Sequence, residues 1–281
     1  MAMVTMAMAV TISTNITRNR NMRILRVPVP VLVPVPVPVL VNVLVFVIVN
    51  VLVPVPVLSQ TVIGTPGLMN IPTAEVREGC TFDGGASFIE RELLTDANNY
   101  NTGLYYINFS PFSFFDITLR ETLIKEHKSP GDPNTEVGFY QQDRSLTLRV
   151  QPIREKEGKW WPSILVGAND FYLAHGISDY AAAYGVVTKT LTLKSMGTFA
   201  LTAGYAKPIR SGTLYDGPFG GGSFSPQFAP MVRVMGEYDT RGVNVGIAAR
   251  LFRHLNLTCF TREFKGISAT VSYQYTITFT R

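Results

Sequence analysis

The chain has 281 residues, enough for one large all-β domain, and a hydrophobic content of 46% fits a soluble protein and a membrane barrel equally well. Its net charge of +5 comes from the N-terminus, where four arginines precede residue 27 without any acid, whereas the other 21 of the 25 basic residues face 20 acidic ones. That balance removes the main argument for nucleic-acid binding.

Residues 27–58 form a charge-free tract of valine with proline and leucine. Proline at every second position excludes a helix except over residues 39–53, which is short for a bilayer span of about 20 residues. Because a short basic segment, residues 22–26 with Arg23 and Arg26, precedes it, the tract is interpreted as an oversized signal-peptide core, with cleavage after Ser59. An uncleaved membrane anchor and a repeat-expanded tract without a role are the alternatives, since signal cores usually have about 7–15 residues.

The predicted cleavage site divides the sequence into a signal or low-complexity segment, residues 1–59, and an all-β domain, residues 60–281. The domain opens with a Gly/Pro-rich stretch, residues 64–74, that is too irregular for a helix or strand. Strand-like runs follow at residues 80–91, 103–110, 114–125, 145–152, 163–172, 180–193, 198–207, 231–239, 243–253, 255–264 and 267–280. Since single-chain bacterial barrels have an even number of strands, we expect about 12, with 10 as the alternative.

Alternating side chains indicate that the domain is a transmembrane antiparallel β-barrel. From residue 267 to residue 279, apolar or aromatic side chains alternate with Ser, Thr and Gln, as in a strand with one apolar and one polar face. A run of that length suits a strand tilted across a membrane. Residues 115–120 and 243–251 repeat the pattern.

Charged side chains fall on the polar face of these strands. We predict that five arginines point into the lumen and form ion pairs there, because each would cost about 2–4 kcal/mol on the lipid face at mid-depth. They are Arg120, Arg149, Arg233, Arg250 and Arg262. Glu237 and Asp239, beside Arg241, and Asp170 lie at predicted strand ends, where they would hold the rim by ion pairs or hydrogen bonds, with glycan guidance as the alternative.

The connections are predicted to be of two kinds. Short turns are expected at residues 110–113, 241–242, 253–254 and 265–266, and long loops at residues 90–102, 126–144 and 208–230. Short turns on one rim and long loops on the other are typical of membrane barrels. The N-terminal Gly/Pro stretch is expected at the periplasmic mouth or inside the lumen.

The loop predicted at residues 208–230 contains a glycine-rich run, residues 219–223. This run lacks the lysine and the strand-to-helix setting of a phosphate-binding loop, so it predicts a flexible surface loop. The aromatic residues Tyr215 and Phe224 in this loop, like the pair Trp160-Trp161, are interpreted as an interfacial belt or as a sugar-stacking surface.

Catalytic and metal chemistry find little support in the sequence. His175, Ser178 and Asp179 lie close together, but a catalytic triad needs side chains brought into hydrogen-bond reach, usually from separate elements, so we predict an ordinary polar loop. No metal-ligand spacing occurs, and we expect no metal and no cofactor. Cys80 and Cys259 lie on separate predicted strands and are expected to be unpaired.

Several different short motifs follow one another along the chain in a characteristic order. Residues 67–74 read Gly-Leu-Met-Asn-Ile-Pro-Thr-Ala, and later motifs lie at residues 78–79, 84–85, 111–112, 118–120, 162–170, 184–189, 219–222 and 237–239. Together they resemble YjbH-type outer-membrane proteins, a family associated with exopolysaccharide production, over nearly all of residues 61–281. The matching positions that we single out are Gly67, Pro72, Thr73, Gly167, Asp170, Glu237, Tyr238 and Asp239.

Two departures limit what the resemblance implies. The larger family members look like longer chains with additional domains, whereas this sequence has room for one barrel. In addition, Ala174-His175-Gly176 replaces the small, Thr-containing Gly-rich turn expected after Asp170. A shared barrel therefore does not require a shared task.

We expect a non-enzymatic β-barrel in the outer membrane of a Gram-negative bacterium, in contact with lipid. The resemblance implies participation in the export or surface assembly of exopolysaccharide, with the polysaccharide and periplasmic export components as partners and with Tyr215 and Phe224 as candidate glycan contacts. A structural or porin-like barrel without a polysaccharide role is the alternative. An outer-membrane lipid- or glycan-hydrolase is the third hypothesis.

Overall fold

A computed structural model describes residues 58–94, 100–129, 131–156, 158–174 and 178–278 of the protein. It also describes two short N-terminal strands, β1 (Ala7–Met8) and β2 (Val31–Leu32), which pair antiparallel. Most of the tract predicted to be a signal core lies outside the described residues. In the part of the chain that is described, no helix has the length and apolarity needed to cross a membrane.

The described residues from Thr81 onward form a closed barrel of twelve antiparallel strands. The strands are β3 (Thr81–Ile89), β4 (Thr102–Phe112), β5 (Phe115–His127), β6 (Val137–Ile153), β7 (Ser163–Leu173), β8 (Ala182–Leu193), β9 (Gly197–Pro208), β10 (Gly217–Pro226), β11 (Val232–Tyr238), β12 (Val243–Leu251), β13 (Leu255–Arg262) and β14 (Ser268–Thr276). Each strand pairs with the next, and β14 closes the barrel on β3. Apart from one short 3-10 helix (Arg91–Leu93), the described fold is all-β, which confirms the predicted fold class and strand number.

The two rims of the barrel differ in their connections. We call the rim where β3 begins and β14 ends the terminal rim, and the other one the opposite rim. Because strand directions alternate, the turn at residues 113–114 lies on the terminal rim and the turn at residues 239–242 on the opposite rim. Short turns therefore occur on both rims, and the prediction that one rim holds them all is wrong.

The wall has one apolar and one polar face, as the alternation in the sequence predicts. On β14, Val271, Tyr273 and Tyr275 are exposed on the outer surface, whereas Ser268 and Thr270 are buried on the inner side. Successive side chains of a strand point to opposite faces, so an alternating sequence gives a wall of this kind.

Two strands extend into segments that were predicted to be long loops. β10 lies entirely within residues 208–230 and pairs with β9 along its length and with β11 over residues 220–224, so the prediction of a flexible glycine-rich loop is wrong there. β6 begins at Val137, inside the loop predicted at residues 126–144. Glycine has no side chain that could show alternation, so the sequence pattern did not indicate β10. β10 is the twelfth strand, which the expectation of an even strand number required.

The lumen is filled by the chain that precedes β3. We call residues 58–77 the inner segment; most of its side chains are buried, including Val62, Met69 and Ile71, each fully. The segment folds back on itself through β-bridges joining Gln60 to Pro66 and Gly67 to Pro72. Its apolar residues form one buried cluster with inward-facing wall residues such as Tyr106, Leu165 and Phe260. The N-terminal Gly/Pro stretch was expected at the periplasmic mouth or inside the lumen, and in the structure it lies inside the lumen.

Candidate functional site

Glu237 of β11 binds the backbone of the inner segment near the opposite rim. Its Oε1 atom accepts a hydrogen bond from the N–H of Asn70 at 2.7 Å, and its Oε2 atom accepts from Met69 at 3.0 Å and from Ile71 at 3.3 Å. The buried Glu237 side chain therefore satisfies three consecutive backbone donors that have lost contact with water.

Three further residues complete this contact, and we call the four the acidic anchor: Glu237, Asp239, Asn244 and Tyr215. Asn244 Nδ2 donates to Glu237 Oε1 at 2.8 Å and to Asp239 Oδ2 at 3.0 Å, so one amide holds both carboxylates. Asp239 also accepts from the Asn70 side chain at 2.6 Å and pairs with Arg262.

Tyr215, in the connection between β9 and β10, closes the acidic anchor. Its hydroxyl donates to the carbonyl oxygen of Asn70, and its ring packs near the ring of Tyr180, with ring centroids 5.9 Å apart. Burial raises the pKa of the Tyr215 hydroxyl well above its ordinary value of 10.0, because the ionised form would be desolvated. The hydroxyl therefore remains a donor at neutral pH.

Near the terminal rim, Arg149 of β6 binds the other end of the segment. Its Nη2 atom donates to the carbonyl oxygens of Thr73 at 2.6 Å and Glu75 at 3.1 Å. Its Nη1 atom donates to Asp116 Oδ2 at 3.1 Å, in an ion pair whose two side chains are fully buried. The guanidinium thus joins the wall carboxylate to the segment backbone.

Two further wall residues and Arg154, just beyond the end of β6, act with Arg149, and we call the four the basic anchor: Arg149, Gln151, Arg154 and Thr188. Gln151 donates to the carbonyl oxygen of Ala74, and Arg154 donates to that of Val76 at 3.1 Å. Thr188 Oγ1 accepts from the N–H of Ala74 at 2.8 Å. The basic anchor therefore binds mainly backbone carbonyls, whereas the acidic anchor binds mainly backbone N–H groups.

Two more contacts fix the ends of the inner segment. Arg77 pairs with Asp83 at 3.1 Å and donates to Asn108 at 2.7 Å, and Asp83 also accepts from the Gln60 side chain. Arg233 pairs with Glu75 at 3.4 Å.

Ser59 is also part of the packed inner segment. The side chain of Ser59 is buried and donates to the carbonyl oxygen of Gly67 at 2.5 Å, and it accepts from Arg233 at 3.3 Å. Cleavage after Ser59 would remove these contacts, whereas cleavage before it would keep them.

Glycines let the segment and wall approach closely. A Cβ atom on Gly221 would lie 2.7 Å from Leu68 Cδ1, and one on Gly246 would lie 2.7 Å from Met69 Sδ. Within the segment, a Cβ on Gly67 would lie 2.4 Å from the carbonyl oxygen of Ile71. Such distances are too short for a real side chain, so these positions require glycine for steric reasons.

Asp170 and Arg120 form a separate buried pair. Asp170 has a left-handed backbone with φ of 48° at an irregularity in the β6–β7 pairing, which allows Asn169 and Asp170 both to be buried. Asp170 accepts from Arg120 and from Ser178, and the Arg120 guanidinium lies 5.1 Å from the Tyr180 ring centroid. The contacts of Ser178 are thus structural.

The remaining predicted site residues lie in several places. Pro72 and Thr73 are buried in the inner segment, and Gly167 faces the interior, where an added Cβ would lie 2.5 Å from Tyr184. Tyr238 is exposed on the outer surface, and its hydroxyl donates to Thr240 at 3.0 Å. Arg250 lies within the barrel and donates to Asn256 at 2.9 Å.

The two candidate glycan contacts do not form a common surface. Tyr215 is buried in the acidic anchor, whereas Phe224 lies on the outward side of β10 and stacks on Phe199 with ring centroids 4.4 Å apart. Their placement on opposite sides of the wall follows from β10 being a strand, and it corrects the expectation of a shared loop surface.

Several binding residues were not singled out from the sequence. Gln151, Thr188 and Asn244 contact the segment or its anchors, yet none is charged. Their inward position in strands with a polar face was the available signal. Nothing in the sequence indicated which inward polar residues would meet a chain segment far away along the sequence.

Cysteine and metal chemistry have no part in these anchors. Cys80 and Cys259 form no disulfide. Among the described residues, no cluster of His, Cys, Asp and Glu side chains could hold a metal ion. His175, the base of the hypothetical triad, lies outside the described residues.

One comparison with known proteins gives a match. The family model described as exopolysaccharide biosynthesis protein YbjH matches residues 59–214, which include the inner segment from residue 59 onward and the strands from β3 to β9. No curated protein matches the chain significantly.

Proposed function

The chain belongs to the YjbH family, whose model matches more than half of its 281 residues, and from that premise we propose that it is a non-enzymatic outer-membrane β-barrel that takes part in the export or surface assembly of exopolysaccharide. The family match supports the link to exopolysaccharide biosynthesis.

The outer surface of the barrel supports the proposed membrane location. Large apolar side chains such as Ile107, Leu119 and Val271 are exposed there, whereas the ion pairs of Arg149 and Arg120 are inside. Membrane barrels keep charges off the lipid face because each costs several kcal/mol at mid-depth, about 2–4 for Arg or Lys. Outer-membrane lipid is therefore the proposed environment of the wall.

The observation that carries the proposed role is the inner segment held at both ends inside the barrel. A general diffusion pore needs an open, water-filled lumen. Here Glu237 and Arg149 bind the segment backbone from two sides. A barrel filled in this way fits a component of a polysaccharide assembly, acting with periplasmic export components, better than a porin.

Deleting the gene and measuring secreted exopolysaccharide together with small-solute uptake tests this role. We expect altered amount or retention of the polysaccharide, unchanged solute uptake, and recovery on complementation with the wild-type gene. Heat-modifiable gel migration of the protein in a washed outer-membrane fraction checks its location. Unaltered polysaccharide with reduced solute uptake would favour the porin-like alternative instead.

A further inference from the structure

A cleft of about 1000 Å³ opens at the terminal rim, next to the basic anchor. Glu75 and Gln151 line it from the lumen, and Arg154 and Trp160 of the β6–β7 connection line it from the rim. We call this the rim cleft. Its volume is at the upper end of the range of about 300–1,000 Å³ for small-molecule sites.

The rim cleft exists because one strand of the wall starts late. β7 begins at Ser163, which pairs with Thr188 of β8, but β8 continues to Leu193. Those last residues of β8 pair only with β9, so the wall lacks a neighbouring strand at this point. Glu155 protects part of the edge, because its carboxylate accepts from Thr190 N at 2.9 Å and pairs with Lys189 at 2.5 Å.

The lining combines an aromatic ring with polar groups of both kinds. Trp160 lines the cleft and is 84% exposed, so its ring is open to a ligand. Lys159 lies with its Nζ atom 5.6 Å from the centroid of the Trp161 ring. Within the described residues, neither Arg154 nor Lys159 forms an ion pair with a carboxylate, in contrast to Lys189.

We propose that the rim cleft binds a short stretch of acidic oligosaccharide, and this inference rests on the proposed role in exopolysaccharide export. A sugar ring has an apolar C–H face that stacks on an indole, and hydroxyls that need both donors and acceptors. Trp160 supplies the ring, Glu75 supplies an acceptor, and the exposed Arg154 and Lys159 supply donors whose charge attracts sugar carboxylates. The ligand would contact the barrel where the inner segment emerges.

The two tryptophans of the chain, Trp160 and Trp161, give a direct binding assay, because every indole signal comes from this connection. The purified barrel in detergent is titrated with size-fractionated oligosaccharides from partial hydrolysis of the host's own exopolysaccharide, with neutral dextran oligosaccharides as the comparison. We expect a saturable change in tryptophan fluorescence that weakens with salt for the acidic fraction.

Variants at the cleft locate the binding site. We expect Trp160→Ala to weaken binding roughly tenfold, measured by calorimetry, since ring stacking is lost. Phe228→Ala is the matched control, because Phe228 is an aromatic residue on the same rim, 92% exposed and outside the cleft lining, and its removal should leave affinity unchanged. Arg154→Gln with Lys159→Gln should reduce affinity for the acidic fraction and flatten its salt dependence.

The outcomes separate the cleft from the wider role of the protein. Absence of saturable binding by the folded wild type, or equal loss of affinity in Trp160→Ala and Phe228→Ala, overturns the rim cleft as the site. If the deletion strain nevertheless has altered polysaccharide, the proposed function stands without the cleft. If the deletion strain has unaltered polysaccharide, the proposed function fails, whereas the cleft stands or falls with the titration and its variants. Heat-modifiable migration of each variant shows that it has folded.

Discussion

The inner segment is bound by opposite chemistry at its two ends. Near the opposite rim, the carboxylate of Glu237 accepts hydrogen bonds from backbone N–H groups. Near the terminal rim, Arg149 and Gln151 donate to backbone carbonyls. Both anchors bind main-chain atoms, which are present whatever the side chains are. The wall therefore holds the segment by its backbone.

The two anchors also differ in what surrounds them. Around Glu237 the contacts are closed by Tyr215 and Asn244, both buried. Around Gln151 and Arg154 the wall is interrupted, and the rim cleft adjoins the segment. Both anchors therefore fix the segment, and the proposed ligand would meet it beside the basic anchor, where the wall is interrupted.

The largest effect is expected from breaking the basic anchor at Arg149. Arg149→Met leaves Asp116 buried without its cation and removes two backbone contacts, so we expect a loss of about 3–5 kcal/mol in the free energy of unfolding. Urea titration of the barrel refolded in lipid vesicles, followed by tryptophan fluorescence, measures this loss. Arg154→Gln, at the exposed edge of the same anchor, should cost less than about 1 kcal/mol. Equal losses of unfolding free energy in Arg149→Met and Arg154→Gln would mean that burial does not strengthen the ion pair of Arg149 with Asp116.

Breaking the acidic anchor at Glu237 should cost slightly less. Glu237→Ala leaves three buried N–H groups without their acceptor, and we expect a loss of about 2–4 kcal/mol, because unsatisfied donors keep their desolvation cost. Glu237→Gln keeps one acceptor oxygen and should lose about half as much. The same urea titration ranks the two variants. A Glu237→Gln variant as unstable as Glu237→Ala would show that the charge, and not the acceptor count, holds the segment.

A steric change in the wall tests whether packing also fixes the segment. Gly221→Ala places a Cβ 2.6 Å from the carbonyl oxygen of Gly236 and 2.7 Å from Leu68, so we expect a loss of about 1–3 kcal/mol from overpacking. Gly236→Ala is the matched control on the neighbouring strand, since its Cβ would meet nothing within 4 Å. Thermal unfolding followed by heat-modifiable migration compares the two. Similar melting temperatures would mean that the segment shifts away from Gly221 without cost.

The sequence predicts the wall better than the contents of the lumen. Strand β14 shows an unbroken alternation, because its outward residues face one environment and its inward residues another. Strand β10 was missed because its inward residue Gly221 is selected for close approach to Leu68, which leaves no hydrophobic signal. The pairing of Glu237 with residues 69–71 joins positions about 170 apart in the chain, and no local pattern encodes such a contact. Alternation in the sequence identifies the inward polar residues, which are the candidates for binding the segment. Which of them contact the segment depends on the three-dimensional arrangement of the closed barrel.

Among the buried contacts, the smallest effect is expected at Tyr215, which sharpens the contrast between an enclosed and an open anchor. Tyr215→Phe removes a buried hydrogen bond to Asn70 and should cost about 0.5–1.5 kcal/mol at pH 7. Because burial raises the pKa of Tyr215 above that of the unfolded chain, its contribution is present in full below pH 10 and is lost as the pH rises further. The stability gap between wild type and Tyr215→Phe, measured by urea titration in detergent from pH 7 to alkaline pH, should therefore narrow above pH 10. A gap that stays constant would place the hydroxyl in contact with water, and the acidic anchor would then be as open as the basic one.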